Sequence, residues 1–465
     1  MSSTSKALGR IASLFDEASF AEIGALVTAR STDLNTDPKA LASDGCITGY
    51  GTVGGRVVYV YSQDASVLGG SIGEMHARKI VNLYDMAIKT GCPVIGIVDC
   101  AGMRLEEGSD ALYAFGRIYG RMTKASGVIP QITAVVGNCG GGAGLFSRLS
   151  DFTFIAPDGK LFVSAPDTIT GNYTAKNDTA GDKFQSEVSG NATKCASEAE
   201  LFAAVRQLVS ILPSNNETSN DDPEGTCADD LNRALAVTVP DGAAALIENI
   251  GDAGSYVEIR ADYEPSMVTA FIKLDGVLTG VVANNACKAG ADGKAVKIDN
   301  VLTADGCDKA ADFVNFCDAF DIPVLSLTNV KGFDASLENE KRIARSAAKL
   351  AAAFASASVP KVNVITGDAI GNAANIMNAK ALGSDITISW NNAKVGIMDG
   401  KLAAQITGAD ASSIDAGMSG AADAARRGYV DQVIAAADTR KYVIASFEML
   451  YSKRGEDIYK KHTSI

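Results

Sequence analysis

The sequence predicts an α/β protein with two tandem domains of one fold, each built from stacked ββα units. The first indication is an internal repeat: Pro323 stands 230 residues after Pro93, and Gly371 stands 230 residues after Gly141. The second is the alternation of apolar strand-like runs with helical segments. The third is a polar segment between the copies, residues 213–230, which cannot bury much apolar surface and is the natural linker.

The elements of each domain follow from the spacing of apolar residues. In the first half this spacing predicts helices over Arg10–Arg30, Ile72–Thr90 and Leu112–Ala125, and strands over Arg56–Ser62, Val94–Asp99, Ile132–Gly137 and Phe152–Ala156. In the second half it predicts strands over Phe271–Leu274, Val277–Asn284, Val324–Asn329 and Val362–Thr366, and helices over Cys307–Phe320, Glu340–Ser356 and Asn372–Leu382. The predicted domains span residues 1–230 and 231–465.

One glycine pattern predicts a turn and not a nucleotide site. The segment Gly49–Gly54 spells G-x-G-x-x-G, which opens a helix in dinucleotide-binding folds. Here the strand Arg56–Ser62 follows it, so we interpret the segment as part of a β-hairpin. The P-loop pattern G-x-x-x-x-G-K-[ST] does not occur in the sequence.

The composition points to a globular enzyme and argues against several kinds of site. The chain has 465 residues, 47% apolar and 21% charged, and its formal charge of −13 argues against a nucleic-acid partner. The two histidines, His76 and His462, and nine scattered cysteines without a C-x-x-C pair indicate neither a hydrolase triad nor a metal site. We assign His76 a structural role. We expect a cytoplasmic protein, because the sequence shows no signal-peptide pattern and no apolar run of about 18 residues.

The segment Ile132–Leu145 carries the strongest chemical signal. An apolar strand runs into Gly140–Gly142 and then into a helix start. Glycines let a ligand approach the backbone closely, and the first amides of a helix are aligned donors that stabilise an oxyanion by about 3–4 kcal/mol each. The alternative is a tight turn that needs left-handed residues for packing. The matching turn Thr366–Ala374 in the second half favours the functional interpretation.

A second loop, Asp99–Gly108, follows the neighbouring strand. Its turn Cys100–Gly102 is predicted to bring one more amide towards the same pocket. Arg104 and the glutamates that follow it, Glu106 and Glu107, are either catalytic or part of a salt-bridged loop. The sequence leaves both interpretations open.

These motifs resemble the crotonase superfamily, whose members hold acyl-CoA thioesters in an oxyanion hole of backbone amides. Over the whole chain the sequence is more similar to the carboxyltransferase subunits of biotin-dependent acyl-CoA carboxylases of the propionyl-CoA type. It is equally similar to the α subunits of sodium-pumping acyl-CoA decarboxylases of the methylmalonyl-CoA type. The stretches that carry the resemblance lie at Tyr59–Asp64, Gly69–Ser71, Ala125–Ile132, Val281–Asn285, Phe313–Phe320 and Val359–Val362. The implied fold is two tandem crotonase-like (ClpP/crotonase) domains.

The resemblance also implies a site. The thioester carbonyl would bind the amides of Gly141 and Gly142 in the first domain, the acyl-CoA side. The ureido oxygen of biotin would face the amides of Asn372 and Ala373 in the second domain, the biotin side. Further substrate contacts are implied at Ala101, Gly102, Met103, Gly371 and Asn375. In this family the first domain of one subunit and the second domain of another form the active site within a ring-shaped homo-hexamer.

The implied reaction moves a carboxyl group between biotin and a short-chain acyl-CoA. Carboxybiotin releases CO2, the biotin anion takes the α proton of the thioester, and the enolate attacks CO2; decarboxylases run this reaction in reverse. The sequence has no Met-Lys-Met-like biotinylation site, so biotin is expected on a separate biotin carboxyl carrier protein. The other implied partners are a biotin carboxylase or membrane decarboxylase subunits, so association with a membrane complex through partners stays open.

The second-half loop departs from the family pattern. Where the family has Arg-Lys, this chain has Gly367–Asp368, and Asn375 occupies the position that tunes acyl preference. Alternatives to a carboxylase subunit are therefore the α subunit of a sodium-pumping decarboxylase and a catalytically weak scaffold subunit that pairs with an active homologue. A biotin-independent crotonase-type hydratase or hydrolase is a third alternative, although neither glycine turn is followed by a glutamate pair.

Overall fold

The computed structural model describes residues 5–34, 42–218, 227–237, 239–289, 295–398, 400–417 and 419–453. It divides into two units, residues 1–218 and 219–465. The division falls within the polar segment that we interpret as the linker, and residues 219–226 of that segment lie outside the described residues. Each unit contains one large, mostly parallel sheet, so the predicted α/β fold is confirmed.

The first unit is built on an eight-stranded sheet with helices packed against it. Its strands are β1 Ala21–Ile23, β2 Cys46–Val53, β3 Arg56–Gln63, β4 Val94–Cys100, β5 Gln131–Gly140, β6 Phe152–Ile155, β7 Lys160–Phe162 and β8 Thr193–Lys194. Its α-helices are α1 Lys6–Leu14, α2 Glu74–Thr90, α3 Ser109–Ala125, α4 Phe146–Leu149 and α5 Glu198–Ile211. Strands β3 to β6 pair in parallel in sequence order, and β7 extends the sheet beside the end of β5.

The G-x-G-x-x-G segment is a hairpin, as predicted. Strands β2 and β3 pair antiparallel, and Gly54 and Gly55 turn the chain between them with φ of 57° and 80°. Such positive φ values favour glycine. The pattern therefore arises from a turn and a strand.

The prediction of one helix over Arg10–Arg30 is wrong. Helix α1 ends at Leu14, Phe15 is extended, and Ala18 has φ of 57°. The chain then enters β1, which pairs with β2. The ring of Phe20 stacks on that of Phe15 at 5.9 Å, so the apolar spacing that suggested a helix comes from a packed turn.

The second unit repeats this arrangement around a nine-stranded sheet. The strands of this sheet are β9 Val257–Ile259, β10 Met267–Leu274, β11 Val277–Asn284, β14 Val324–Val330, β15 Lys361–Ile370, β16 Ile386–Trp390, β17 Lys394–Gly396, β18 Ser419–Gly420 and β19 Gln432–Ile434; β12 Cys287–Ala289 and β13 Ala295–Lys297 form a separate pair. The α-helices are α6 Ala243–Ile250, α7 Ala304–Ala319, α8 Leu337–Glu340, α9 Ile343–Ser356, α10 Gly371–Ile376, α11 Gly400–Thr407, α12 Ala411–Gly417, α13 Ala421–Arg426 and α14 Thr439–Leu450. Strands β11, β14 and β15 pair in parallel, as β3, β4 and β5 do.

The predicted helix over Asn372–Leu382 is shorter than expected. Helix α10 ends at Ile376, and a 3-10 turn, Lys380–Leu382, follows separately. Between them Asn378 has φ of 59°, and its buried amide donates to Ser326 Oγ at 3.0 Å. This left-handed residue interrupts the helix.

Candidate active site

In the first unit, β5 ends at a glycine turn that begins a helical segment. Gly141 has φ of 59°, and a 3-10 turn, Gly141–Leu145, runs on into α4. The first amides of a helix have no acceptor within the helix, and Gly140 at the N-cap has no side chain to supply one. The turn is therefore suited to presenting the amides of Gly141 and Gly142 to an anionic oxygen.

Two aromatic residues of α3 hold this turn in place. The Tyr119 hydroxyl donates to the Gly142 carbonyl oxygen at 2.8 Å. A β-carbon at Gly142 would lie 2.7 Å from that hydroxyl and 3.0 Å from the Phe115 ring, so a side chain fits here only if these rings move. The sequence analysis missed Tyr119, because its distance from the glycine turn along the chain conceals the contact.

The end of β5 is fixed by a carboxylate from β4. Asp99 Oδ1 accepts the Asn138 amide at 3.2 Å, and Asp99 Oδ2 accepts from Arg10 at 2.9 Å. The Arg10 guanidinium is 3% exposed and also donates to the Val136 carbonyl at 3.1 Å. A β-carbon at Gly137 would lie only 2.1 Å from Asp99 Oδ1. We call Asp99, Asn138 and Gly137 the first strand-end clamp.

The turn Cys100–Gly102 lies beside this site. A β-carbon at Gly102 would lie 3.3 Å from the Gly140 carbonyl oxygen. However, the Ala101 amide donates to the Gly69 carbonyl at 2.9 Å, and the Gly102 amide donates to Cys100 Sγ at 3.2 Å. The amides of Ala101 and Gly102 are therefore engaged close to the turn, and Met103, the third predicted contact, is partly buried next to them.

Arg104 and Glu107, which follow this turn, form a buried ion pair. Arg104 is fully buried and contacts Glu107 at 3.2 Å, and it donates to the carbonyls of Asp44 and Ser71. The second carboxylate oxygen of Glu107 accepts the Glu74 amide at the start of α2. These contacts favour the salt-bridged loop over a catalytic role.

His76 and the nearby thiols are also unsuited to acid–base or nucleophilic work. His76 is fully buried between the Asp44 carbonyl and Gln63, and burial lowers its pKa to about 3. Burial raises the pKa of the Cys100 thiol to about 11, and that of Cys139 is raised further. At neutral pH the imidazole and both thiols are therefore uncharged.

The second unit places a matching turn at the end of β15. Gly371 has φ of 66° and begins α10, and Ile370 at the N-cap has no capping side-chain oxygen. Asn372 is exposed, and its Oδ1 accepts from Asn375 Nδ2 at 3.2 Å. A cavity of about 750 Å³ is lined by Gly371, Asn372 and Asn375 among others. Ala373, whose side chain is 1% exposed, does not line it.

A second strand-end clamp stands at the same offset as the first. Asn329 Oδ1 accepts the Asp368 amide at 3.0 Å and the Asn300 side chain at 3.2 Å. A β-carbon at Gly367 would lie 2.5 Å from Asn329 Oδ1. Asp368, the anion that replaces a family cation, does not line the cavity. We call Asn329, Asp368 and Gly367 the second strand-end clamp.

Two further kinds of feature are absent from the described part of the chain. In the described ranges no group of three or more His, Cys, Asp or Glu side chains is arranged to hold a metal ion. Among the same residues no helix is long and apolar enough to cross a membrane.

In both crotonase-like units a central parallel strand ends in a left-handed glycine before a helix start, an arrangement that suits an enzyme stabilising an oxyanion with backbone amides. The carboxyl transferase domain family matches residues 4–465, and the chain belongs to this family. It is an enzyme, a carboxyltransferase of the type found in propionyl-CoA carboxylases and methylmalonyl-CoA decarboxylases.

Named relatives and a solved structure agree with this assignment. The chain is 38% identical to the propionyl-CoA carboxylase beta chain of Saccharopolyspora erythraea, over 98% of this chain and 89% of the relative. It is 36% identical to the methylmalonyl-CoA decarboxylase subunit alpha of Propionigenium modestum, over 98% and 92% of the two chains. The crystal structure of transcarboxylase 12S, a hexamer with methylmalonyl-CoA and methylmalonic acid bound, superposes with a TM-score of 0.88 at 32% identity, over 98% and 92%.

Proposed function

We propose that this chain transfers a carboxyl group between biotin on a separate carrier protein and a short-chain acyl-CoA, with acetyl-CoA and propionyl-CoA as acceptors. The observation that carries the proposal is the pair of glycine turns, each held by a strand-end clamp at the same 230-residue offset. Two donor sites suit a reaction between two carbonyl-containing ligands. The substrates of the named relatives, propionyl-CoA and methylmalonyl-CoA, support the acyl class.

The first unit is the proposed acyl-CoA domain. Its amides at Gly141 and Gly142 would accept the thioester oxygen as negative charge develops on it, with about 3–4 kcal/mol of stabilisation per donor. Tyr119 and the first strand-end clamp hold those donors before the substrate arrives. Preorganisation of this kind stabilises an enolate without a protein base, which agrees with the buried, neutral His76.

The second unit is the proposed biotin domain. The cavity beside Gly371, Asn372 and Asn375 combines apolar walls with amide and hydroxyl groups that suit a cyclic urea. Within the described ranges its lining also includes two cations and no carboxylate. Biotin, when bound, supplies the carboxyl group that is exchanged. The exposed Asn372 at the start of α10 would orient the ureido oxygen.

The assembly and partners are part of the same proposal. The 12S structure is described as a hexamer and a multienzyme core, and we propose a homo-hexamer for this chain. A biotin carboxyl carrier protein would deliver biotin, and either a biotin carboxylase or decarboxylase subunits would complete the complex. A membrane-spanning partner would identify a sodium-pumping decarboxylase, and a biotin carboxylase partner would identify a carboxylase.

The test uses the purified chain with malonyl-CoA, methylmalonyl-CoA and glutaconyl-CoA, each with and without free biotin. We expect loss of the thioester-linked carboxylate that depends on biotin, and the relative rates would rank the acyl groups. If a correctly folded and assembled chain causes no loss and binds no biotin, the carboxyl-transfer proposal is wrong and the scaffold alternative holds.

A further inference from the structure

Among the described residues, the charged side chains that line the cavity of the second unit are all positive. Two cations, Lys380 and Arg427, line the cavity of about 750 Å³, and among the residues that the structure describes no carboxylate does. Its other walls are apolar or carry amides and hydroxyls, such as Asn372 and Thr387. A concave site lined by one sign of charge concentrates ligands of the opposite sign. The question is which of the two cations is available to a ligand.

Lys380 is already neutralised. Its ammonium group pairs with the Asp431 carboxylate, whose other oxygen accepts the Thr387 amide at 2.9 Å. This pair fixes Lys380 against the neighbouring strand end. Its charge is therefore compensated within the protein.

Arg427 is available. It is exposed at the end of the short helix α13, and it forms no ion pair with any described residue. Its chain neighbour Arg426 does not line the cavity and pairs with Asp423. The two adjacent arginines thus differ in two properties: only Arg427 lines the cavity, and only Arg426 forms an ion pair with a described residue.

The chemistry of an unpaired guanidinium narrows the ligand class. Arginine presents a planar fork of donors that matches a carboxylate, and hydrogen bonds between charged groups are stronger than those between neutral groups. The exposed side chains of Ile397, 82% exposed, and Tyr429, 60% exposed, also line the cavity and offer apolar contact. Such a site suits an organic anion with a compact apolar body.

We propose that Arg427 binds the carboxylate of the ligand that enters this cavity. The inference rests on the proposed function, in which that ligand is biotin bearing the exchangeable carboxyl group. Arg427 then distinguishes biotin that carries the carboxyl group from biotin that does not. It is a specificity-determining residue for the carboxyl donor, whereas the amides at α10 serve the ureido oxygen in both forms.

Binding calorimetry tests this with two stable probes. One is biotin amide, which is neutral; the other is biotin amide with a carboxymethyl group on a ureido nitrogen, which is anionic. We expect the unmodified chain to bind the anionic probe about tenfold or more tightly than the neutral one, from the charged hydrogen bonds of Arg427. Arg427→Ala should remove this preference and leave binding of the neutral probe within twofold.

The matched control is Arg426→Ala, which removes the same charge from the neighbouring position. It should leave both affinities unchanged. An Arg427→Ala variant that keeps the full preference for the anionic probe overturns the inference and leaves the proposed function standing. An unmodified chain that binds neither probe overturns both, and the thermal unfolding midpoint of each variant shows that it is folded.

Discussion

The two strand-end clamps have similar hydrogen-bond geometry, but the acid and the amide residue exchange positions between them. In the first unit the acceptor is the Asp99 carboxylate, and the residue whose amide it accepts is Asn138. In the second unit the acceptor is Asn329, and the amide belongs to Asp368. Each acceptor's own amide donates to a side-chain amide oxygen on the neighbouring strand, Gln63 in one unit and Asn284 in the other. The feature that the two clamps share is therefore a side-chain oxygen that accepts a backbone amide near the end of the next strand.

The difference between the clamps lies in what surrounds that oxygen. Asp99 is charged and is held by the buried Arg10, whereas Asn329 is neutral and is held by Asn300. A charged hydrogen-bonded pair holds its geometry more strongly than a neutral pair does. The first unit, which carries the proposed thioester turn, should therefore be the less tolerant of change.

Between the two units, the largest difference in carboxyl transfer is expected after substitutions in the glycine turns. Gly142→Pro removes an amide donor and should lower carboxyl transfer about a hundredfold or more. Gly142→Ala should also impair transfer, because its β-carbon would lie 2.7 Å from the Tyr119 hydroxyl. Position 372, at the 230-residue offset, already carries a side chain, so Asn372→Ala should change transfer by only a few-fold. Full activity in a folded Gly142→Pro protein would mean that the thioester site lies elsewhere.

The next difference concerns the clamp glycines. Gly137→Ala places a β-carbon 2.1 Å from Asp99 Oδ1 and should cost about 1–3 kcal/mol or more of unfolding free energy. Gly367→Ala should lower the unfolding free energy by less. Its β-carbon would lie farther from the clamp oxygen, at 2.5 Å from Asn329 Oδ1, and the Asn329 side chain is held by Asn300 and not by an arginine. Gly120→Ala in α3, which meets no atom within 4 Å, is the control and should be neutral or slightly stabilising. Thermal unfolding midpoints measure the order, and an equal loss for Gly137→Ala and Gly367→Ala would contradict it.

A reciprocal exchange tests the charges of the clamps. Asp99→Asn gives the first clamp the chemistry of the second and should cost about 2–3 kcal/mol, because Arg10 loses one of its two carboxylate partners and keeps Glu198. Asn329→Asp places a carboxylate among neutral amides and should destabilise at pH 7 by about 1–3 kcal/mol. The second loss should shrink at pH 5, where the new carboxyl group is more protonated. Denaturant unfolding at both pH values measures this, and a loss of equal size at each would contradict the account.

The smallest expected difference is in acid sensitivity. Burial lowers the pKa of His76 to about 3, and the position at the 230-residue offset is Gly306. The folded state therefore binds this proton less readily than the unfolded state, so the stabilisation is present above about pH 6.5 and is lost as the pH falls towards 3. Burial raises the pKa of Asp151, in the same unit, to about 7, which acts in the opposite direction over part of this range.

Amide hydrogen exchange, corrected for intrinsic exchange rates, measures the protection of each unit separately. Because the loss from His76 and the gain from Asp151 nearly cancel between pH 7 and pH 5, we expect the protection of β4 relative to β14 to change little in the unmodified chain and to rise towards pH 5 in His76→Gln. The variant isolates the histidine from Asp151, which it leaves in place. An unchanged difference in the variant would assign the acid sensitivity to other groups.

The sequence predicts the repeated features well and the long-range contacts poorly. The hairpin at Gly49–Gly54 and both glycine turns were predictable, because strand periodicity and positive-φ glycines leave local patterns. The ion pair of Arg10 and Asp99 was not, because 89 residues separate its partners. Spacing also failed at Phe15–Phe20, where packed aromatic rings imitate helical periodicity.

The clamps could have been found from the sequence with one further step. Asp99 and Asn138 are replaced at the fixed offset by Asn329 and Asp368, an exchange of acid and amide between two positions. Such an exchange indicates that the two positions contact each other. The role of Tyr119 has no such signal, because the residue at its offset is Lys349, which pairs with Asp312.

The most direct test of the account crosses one variant of each turn with each substrate. Gly142→Ala and Asn372→Pro are assayed for biotin-dependent carboxyl transfer while acyl-CoA and biotin concentrations are varied separately. We expect Gly142→Ala to lower the rate of carboxyl transfer measured as the acyl-CoA concentration is varied, and to leave the KM for biotin unchanged. It predicts that Asn372→Pro raises the KM for biotin and leaves the KM for the thioester unchanged. The reverse pattern, or equal effects of both variants on both substrates, would contradict the assignment of one ligand to each unit.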